Sequence, residues 1–194
     1  MQPALAAMDL ACRRGYRLLF TQLSFSLRPG EALHVTGRNG TGKSSLLRIL
    51  AGLSRPYAGK VESCGAIGLV DERAALDPDL PLQKALQYWF ALDGARKRQD
   101  ILATLALDEV ADVPVRFLST GQRKRAALAR LAGQDAPLWL LDEPLSGLDA
   151  PSRAITERLL ARHLSGGGVA VIASHQPFTA VEARVLDLEG FAPE

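Results

Sequence analysis

The sequence predicts an α/β fold, a parallel sheet with helices around it and a small all-helical insertion. Three observations carry that prediction. First, the runs ALHV (32–35), LWLL (138–141) and VAVIAS (169–174) are apolar throughout rather than alternating, and each is too short for a helix. Strands buried on both faces of a parallel sheet read this way. Second, each run ends in polar or Gly-rich residues, TGRNGTGKSS, DEPLSGLD and HQPF. Ligands of open α/β sheets sit at the carboxyl ends of strands, so three strand ends nominate one crevice. Third, the texture changes between residues 82 and 107, where LQKALQYWFAL and ARKRQDILATLAL show helical periodicity around Asp93-Gly94, with no strand-like run between them.

The elements follow in order. ALHV is a strand that runs through GRNGTGKSS into the helix SLLRILAGL. The helical insertion is closed by Pro114 and leads into the loop LSTGQ, residues 118–122. Behind that loop an Ala/Leu-rich helix carries Arg123, Lys124 and Arg125 in its first turns, against the preference of the helix macrodipole. After LWLL a further helix is expected from Pro151 to Leu164, with Pro151 suited to the first turn and Gly166-Gly167-Gly168 ending it. VAVIAS and RVLDLEG (184–190) supply the last strands.

Bulk properties narrow the function classes. A chain of 194 residues that is 47% hydrophobic holds one domain and an ample core. A net charge of +2 gives no nucleic-acid footprint. Cys12 and Cys64, the only cysteines, build no CxxC, CxxCH or metal spacing and read as free thiols in a reducing compartment. MQPALAAMDLACRRG lacks the basic start of a signal peptide, and no apolar run approaches the roughly 20 residues that span a bilayer. A chain soluble by itself is expected, reaching any membrane through a partner.

The chemistry sits at the strand ends. Gly37-x-x-x-x-Gly42-Lys43-Ser44 matches a phosphate-binding loop at every defined position. Its glycines let the N–H groups of the loop, from Gly37 through Arg38, Asn39, Gly40, Thr41 and Gly42 to Lys43, Ser44 and Ser45, converge on phosphate oxygens, and the following helix points its N-terminus at the same anion. Lys43 reaches the β- and γ-phosphates, and Ser44 is a Mg²⁺ ligand. Asp142, ending a buried strand, is the second group for Mg²⁺. Glu143 follows; at a strand end it can turn toward the γ-phosphate and orient or deprotonate the attacking water. His175, at the end of the third strand, is placed to brace the γ-phosphate, whereas His34 and His163 read as structural. One phosphate loop cradles one triphosphate, so LSTGQ is surplus to it. Its Ser, its Gly and the helix behind it are again anion-binding parts. The economical solution is that it caps the ATP held by a second copy, two nucleotides being sandwiched head to tail.

Phosphate loop, LSTGQ, LWLLDEP, Ser146-Gly147-Leu148-Asp149 and a terminal His, in that order, resemble the nucleotide-binding subunits of ABC transporters over about residues 9–188. The resemblance implies a single domain over 1–194. It has a P-loop NTPase core of ABC type, an N-terminal antiparallel β region, and a helical subdomain at about 82–133 inserted in the RecA-like core. It implies ATPase activity, with the loop of Leu118, Ser119, Thr120, Gly121 and Gln122 reading the nucleotide of the other subunit of a homodimer and Asp149 linking the two sites. Adenine stacks in this family on an N-terminal aromatic; the nearest matches here are Arg14 and Tyr16, and Tyr16 reads equally as core. Thr120 stands where a second Gly is usual. Glu72 or Arg73 stands nearest the place of a Mg²⁺-sensing Gln, a role left unassigned. The cations behind LSTGQ recur in such proteins and at least in part form a solvated face.

A narrower resemblance, on RGYRLLFTQLSFSLRPGEALHVTGRNGTGKSSLLRILAGLSRP and LWLLDEPLSGLD, is to the CcmA branch, the ATP-binding subunits of bacterial cytochrome c maturation. It implies a place on the cytoplasmic face of the inner membrane, bound to a permease of CcmB type with CcmC- and CcmD-type proteins alongside, in haem delivery. Tyr88, Trp89 and Phe90 either receive that partner or, for most of them, pack the insertion. Rival readings are an exporter of lipid, lipoprotein or drug, a soluble ABC ATPase, and a P-loop kinase, which leaves LSTGQ and SGLD unexplained.

Overall fold

A computed structural model describes residues 4–71, 75–93 and 100–193. β1 (Leu5–Arg14) and β2 (Arg17–Leu27) form a hairpin that turns at Gly15. β3 (Ala32–Thr36) leads through the Gly-rich loop into α1 (Lys43–Leu50), and β4 (Ala58–Ser63) returns beside β1. The result is an antiparallel sheet ordered β2-β1-β4. β5 (Ile67–Val70) opens the second sheet, which it shares with β6 (Leu138–Asp142), β7 (Val169–Ala173) and β8 (Arg184–Asp187). Its order is β5-β6-β7-β3-β8, all parallel.

The parallel sheet explains why its strands lack alternation. Residues of β6 and β7 point alternately into two cores of buried apolar side chains. Leu138, Leu140, Val169 and Val171 pack with Leu33, Val35 and α1 under the antiparallel sheet. Trp139, Leu141, Ala170 and Ile172 pack on the other face with the helices. Every residue of β6 and β7 is buried in consequence.

On the helical side, α2 (Leu82–Leu92), the single turn α3 (Ile101–Thr104) and α4 (Thr120–Gly133) precede β6, and α5 (Ala150–Ser165) follows it. α2 packs on α4 so closely that a Cβ at Gly133 would overlap the Phe90 ring. Trp89 and Phe90 are half-buried there, with the Arg130 guanidinium 3.6 Å over the Trp89 ring, whereas Tyr88 is exposed. Packing therefore accounts for two of these three aromatics.

Three element boundaries differ from the expected ones. The helix expected over SLLRILAGL starts at Lys43 and stops at Leu50, where Gly52 at φ 72° turns the chain. Among its described residues the second periodic segment is α-helical over Ile101–Thr104, and 3-10 turns at Asp108–Val110 and Val115–Phe117 follow it; residues 94–99 lie outside the described ones. The last strand stops at Asp187 because its carboxylate accepts the Glu189 N–H at 3.0 Å, and that local bond turns the chain into a 3-10 segment, Leu188–Phe191.

His163 is structural, as its sequence context suggests. Its ring stacks on Trp139 at 3.8 Å and Nε2 donates to the Val169 carbonyl at 3.2 Å. Burial lowers its pKa below the ordinary 6.5. The unfolded chain then binds a proton that the folded chain refuses, so stability is intact above pH 6.5 and falls as pH drops below it. The unfolding temperature should decline over that range, and His163→Gln, which keeps a donor for Val169, should flatten the decline; an unchanged slope would remove His163 as its source.

Candidate active site

Three parallel strands end side by side, and their ends make the site. β7 lies between β6 and β3, with Asp142 and Val35 both in register with Ala173. The loop after β3 carries Gly37, Gly40 and Gly42 at φ of 132°, 84° and 111°. Gly37 and Gly42 are both tight, since a Cβ would stand 3.0 Å from Thr41 Oγ1 at the first and 3.2 Å from the Phe20 ring at the second, in conformations L side chains resist. α1 begins immediately after it without a side-chain cap. Its first N–H groups thus remain available to an anion in the cleft that Gly40, Gly42, Lys43, Ser44 and Ser45 line, a space of about 440 Å³.

Lys43 is buried, and its Nζ donates to the Gly37 carbonyl at 2.7 Å and the Arg38 carbonyl at 3.2 Å. It also lies 3.0 Å from His175 Nε2. The same Nε2 is 2.8 Å from Asn39 Oδ1. A lone pair toward Lys43 and an N–H toward Asn39 belong to different tautomers, so His175 can serve one at a time. Thr41 closes the loop on itself through Oγ1 to the Arg38 carbonyl, 3.0 Å.

Asp142 and Glu143 line the same cleft from the end of β6. Consecutive strand residues face opposite ways, yet both carboxylates reach the cleft because Glu143 sits in the left-handed region at φ 46°. Its N–H donates to the Ala173 carbonyl at 2.8 Å. Its carboxylate accepts the His175 N–H at 3.2 Å and lies 3.7 Å from His175 Nε2. Lys43, Glu143 and His175 thus form one cluster. Ser44 and Asp142 add a hydroxyl and a carboxylate to the cleft wall, hard oxygen donors of the kind Mg²⁺ takes alongside phosphate and water.

The two adenine candidates separate. Arg14 lines the cleft and its Nε donates to Ser45 Oγ at 3.3 Å. Tyr16 stands at the hairpin tip, fully exposed, so it is not a core residue.

The second loop faces elsewhere. Ser119 caps α4 by accepting the Gln122 N–H at 3.2 Å, while Gln122 Oε1 accepts the Ser119 N–H at 2.8 Å. Leu118 is buried and anchors the loop rather than reaching outward. Gly121 abuts Leu148 and the Gly147 carbonyl, so this loop and the loop at 146–149 share one surface. None of residues 118–122 is among those lining the cleft at the start of α1. Asp149 caps α5 through Ser152 N–H at 2.9 Å, and the Ser152 hydrogen bonds hold its carboxyl below the ordinary value. The three cations are not a uniform solvated face. Arg123 is exposed, but Arg125 is half-buried and Lys124 turns inward to the Glu143 carbonyl at 2.8 Å, because the β6 end lies beneath that side of α4. Glu72 and Arg73 lie outside the described residues.

Sequence reasoning missed Glu189. Its Oε1 accepts the Arg38 N–H at 2.7 Å and Nε at 3.2 Å, and the Arg38 N–H in particular lowers its pKa. It missed Arg17 on the cleft wall as well. It also gave no sign that His34, through Nε2 to the Ser174 carbonyl at 2.9 Å, fixes the strand end that presents His175.

Residues 20–146 match the family model described as ABC transporter. A cytochrome c biogenesis ATP-binding export protein, CcmA, of Novosphingobium aromaticivorans is 54% identical over 189 residues, spanning 97% of both chains. The protein of the same name from Zymomonas mobilis is 52% identical over 189 residues, 96% of this chain and 85% of the relative. The chain belongs to the CcmA branch of the ABC transporter family. The solved structure of a metal-chelate type ABC transporter in an inward-facing conformation superposes on this CcmA-type chain with a TM-score of 0.81 and 31% identity, covering 96% of this chain and 80% of that one. Nucleotide binding follows from family membership, and the cleft between β3 and β6 is where this ABC chain has the groups for it.

Proposed function

We propose that the chain is the ATP-hydrolysing subunit of an ABC export complex that works in cytochrome c biogenesis, with haem as the cargo served. The observation that carries the ATPase reading is the cluster of Lys43, Glu143 and His175 beside the Gly-rich loop. The relatives' name carries the biogenesis reading.

In this reading residues 37–45 hold the triphosphate and Arg14 lies along the adenine. Ser44 and Asp142 hold Mg²⁺, which neutralises phosphate charge when bound. Glu143 aligns a water and takes its proton, and His175 holds the γ-phosphate in line. A second copy brings Ser119 and Gly121 to the same phosphate, and Asp149 connects the two sites. Binding closes the pair and hydrolysis releases it, an energy difference between two states that a membrane partner can use.

That partner is a permease of CcmB type, with CcmC- and CcmD-type proteins alongside, and it brings the chain to the cytoplasmic face of the inner membrane. No helix among the described residues is long and apolar enough to cross a membrane. Residues from about 82 to 133 act as the helical subdomain, and exposed Tyr88 and Phe117 support a docking surface on it.

Cells lacking the gene should lose haem staining of c-type cytochromes, and wild type but not Glu143→Gln should restore it. Normal staining without the gene would sink the biogenesis reading and move the search to the membrane protein that co-purifies.

A further inference from the structure

One cation behind LSTGQ has a destination that phosphate binding does not explain. Lys124 sits five residues into α4 from its cap, Ser119, just past the first turn. Its ammonium leaves the helix face and donates to the Glu143 carbonyl at 2.8 Å. The donor is half-buried at the wall of a cavity of about 620 Å³, which Asp71, Asp142, Glu143 and Thr120 also line.

Glu143 needs outside support. Its φ of 46° is a left-handed conformation, which a non-glycine residue keeps only where its neighbours over-determine it. The core supplies part of that: the Glu143 N–H bonds the Ala173 carbonyl, and its own carbonyl accepts the Ser146 N–H at 3.2 Å. The second lone pair of that carbonyl goes to Lys124, from the helical side.

We propose that Lys124 is a positioning residue for Glu143, holding the backbone turn that aims its carboxylate and tying that turn to the helix whose start meets the other subunit's nucleotide. The proposal rests on the reading of Glu143 as the base and of Ser119 as the contact across the dimer. A displacement of α4 when Ser119 engages phosphate is then passed, within the same subunit, to the base of its own cleft.

The test is steady-state ATP hydrolysis by the chain carrying Lys124→Met, Lys124→Arg, Glu143→Gln, and Lys124→Met with Glu143→Gln. Lys124→Met should lower kcat about tenfold while KM stays within about twofold. Lys124→Arg, which keeps a charged donor, should recover most of the rate. In the Glu143→Gln background, Lys124→Met should change nothing further, because its effect passes through Glu143. A full tenfold loss in that background, a loss confined to KM, or wild-type turnover by Lys124→Met overturns the proposal. If Lys124→Met does not fold, Lys124→Leu, which likewise carries no donor, takes its place in the same comparison. Wild-type turnover by Glu143→Gln alone marks a different failure, that of the role given to the base.

Discussion

Glu143→Gln is expected to lower ATP turnover by about 10²–10⁴-fold while the cleft still binds ATP. The substitution preserves nearly every contact that shapes the site. Glutamine Oε1 can still accept the His175 N–H, and its backbone bonds to Ala173, Ser146 and Lys124 do not depend on the side chain. What disappears is basicity: an amide can align a water but cannot take its proton. Lys43 and the α1 start, the proposed phosphate holders, are untouched. Binding and chemistry should therefore separate, with nucleotide affinity near that of wild type and kcat collapsed. With hydrolysis as the proposed release step for the closed pair, the variant should accumulate as an ATP-bound dimer in size-exclusion chromatography. Turnover at the wild-type rate would remove Glu143 from the mechanism.

The site was legible because its groups cluster at strand ends that the sequence marks by apolar runs. LWLL places Asp142 at the end of β6, and VAVIAS brings His175 near the end of β7. The run of buried residues is itself the mark of a sheet with two cores, so strand position and order of motifs came together. The support around the cluster was not legible. Glu189 meets Arg38 across 151 positions, and His34 meets Ser174 across 140. Single residues of ordinary type at such separations leave no local pattern. Glu143 illustrates the limit within one residue. Period-2 alternation faces it away from Asp142, and only the left-handed turn observed at φ 46° returns it to the cleft. β4 was equally silent, because nearly all of its residues are exposed and no apolar spacing marks them. The cations behind LSTGQ were visible as an anomaly in helix electrostatics, yet the anomaly did not say where Lys124 points.

Ser119→Asp separates the two jobs of the second loop. Ser119 Oγ accepts the Gln122 N–H, so simple deletion to Ala would weaken the start of α4 by about 1 kcal/mol and confuse a folding defect with a binding one. Aspartate caps as well as serine, and its negative charge suits the N-terminal end of the helix dipole, so α4 should be kept or strengthened. In the proposed head-to-tail pair the same charge would face the γ-phosphate of a second copy, where like charges repel. Residues 118–122 are absent from the lining of the chain's own phosphate cleft. Three outcomes are therefore expected together. The unfolding temperature stays within a few degrees of wild type, ATP affinity of the single chain is kept, and ATP-driven dimerisation is lost, with hydrolysis down by about a hundredfold or more. In mixtures with Glu143→Gln, the aspartate should also prevent the ATP-trapped dimer from forming at the interface it contributes. If Ser119→Asp instead abolished ATP binding by the isolated chain, the loop would serve its own nucleotide, and the head-to-tail arrangement would have to be given up.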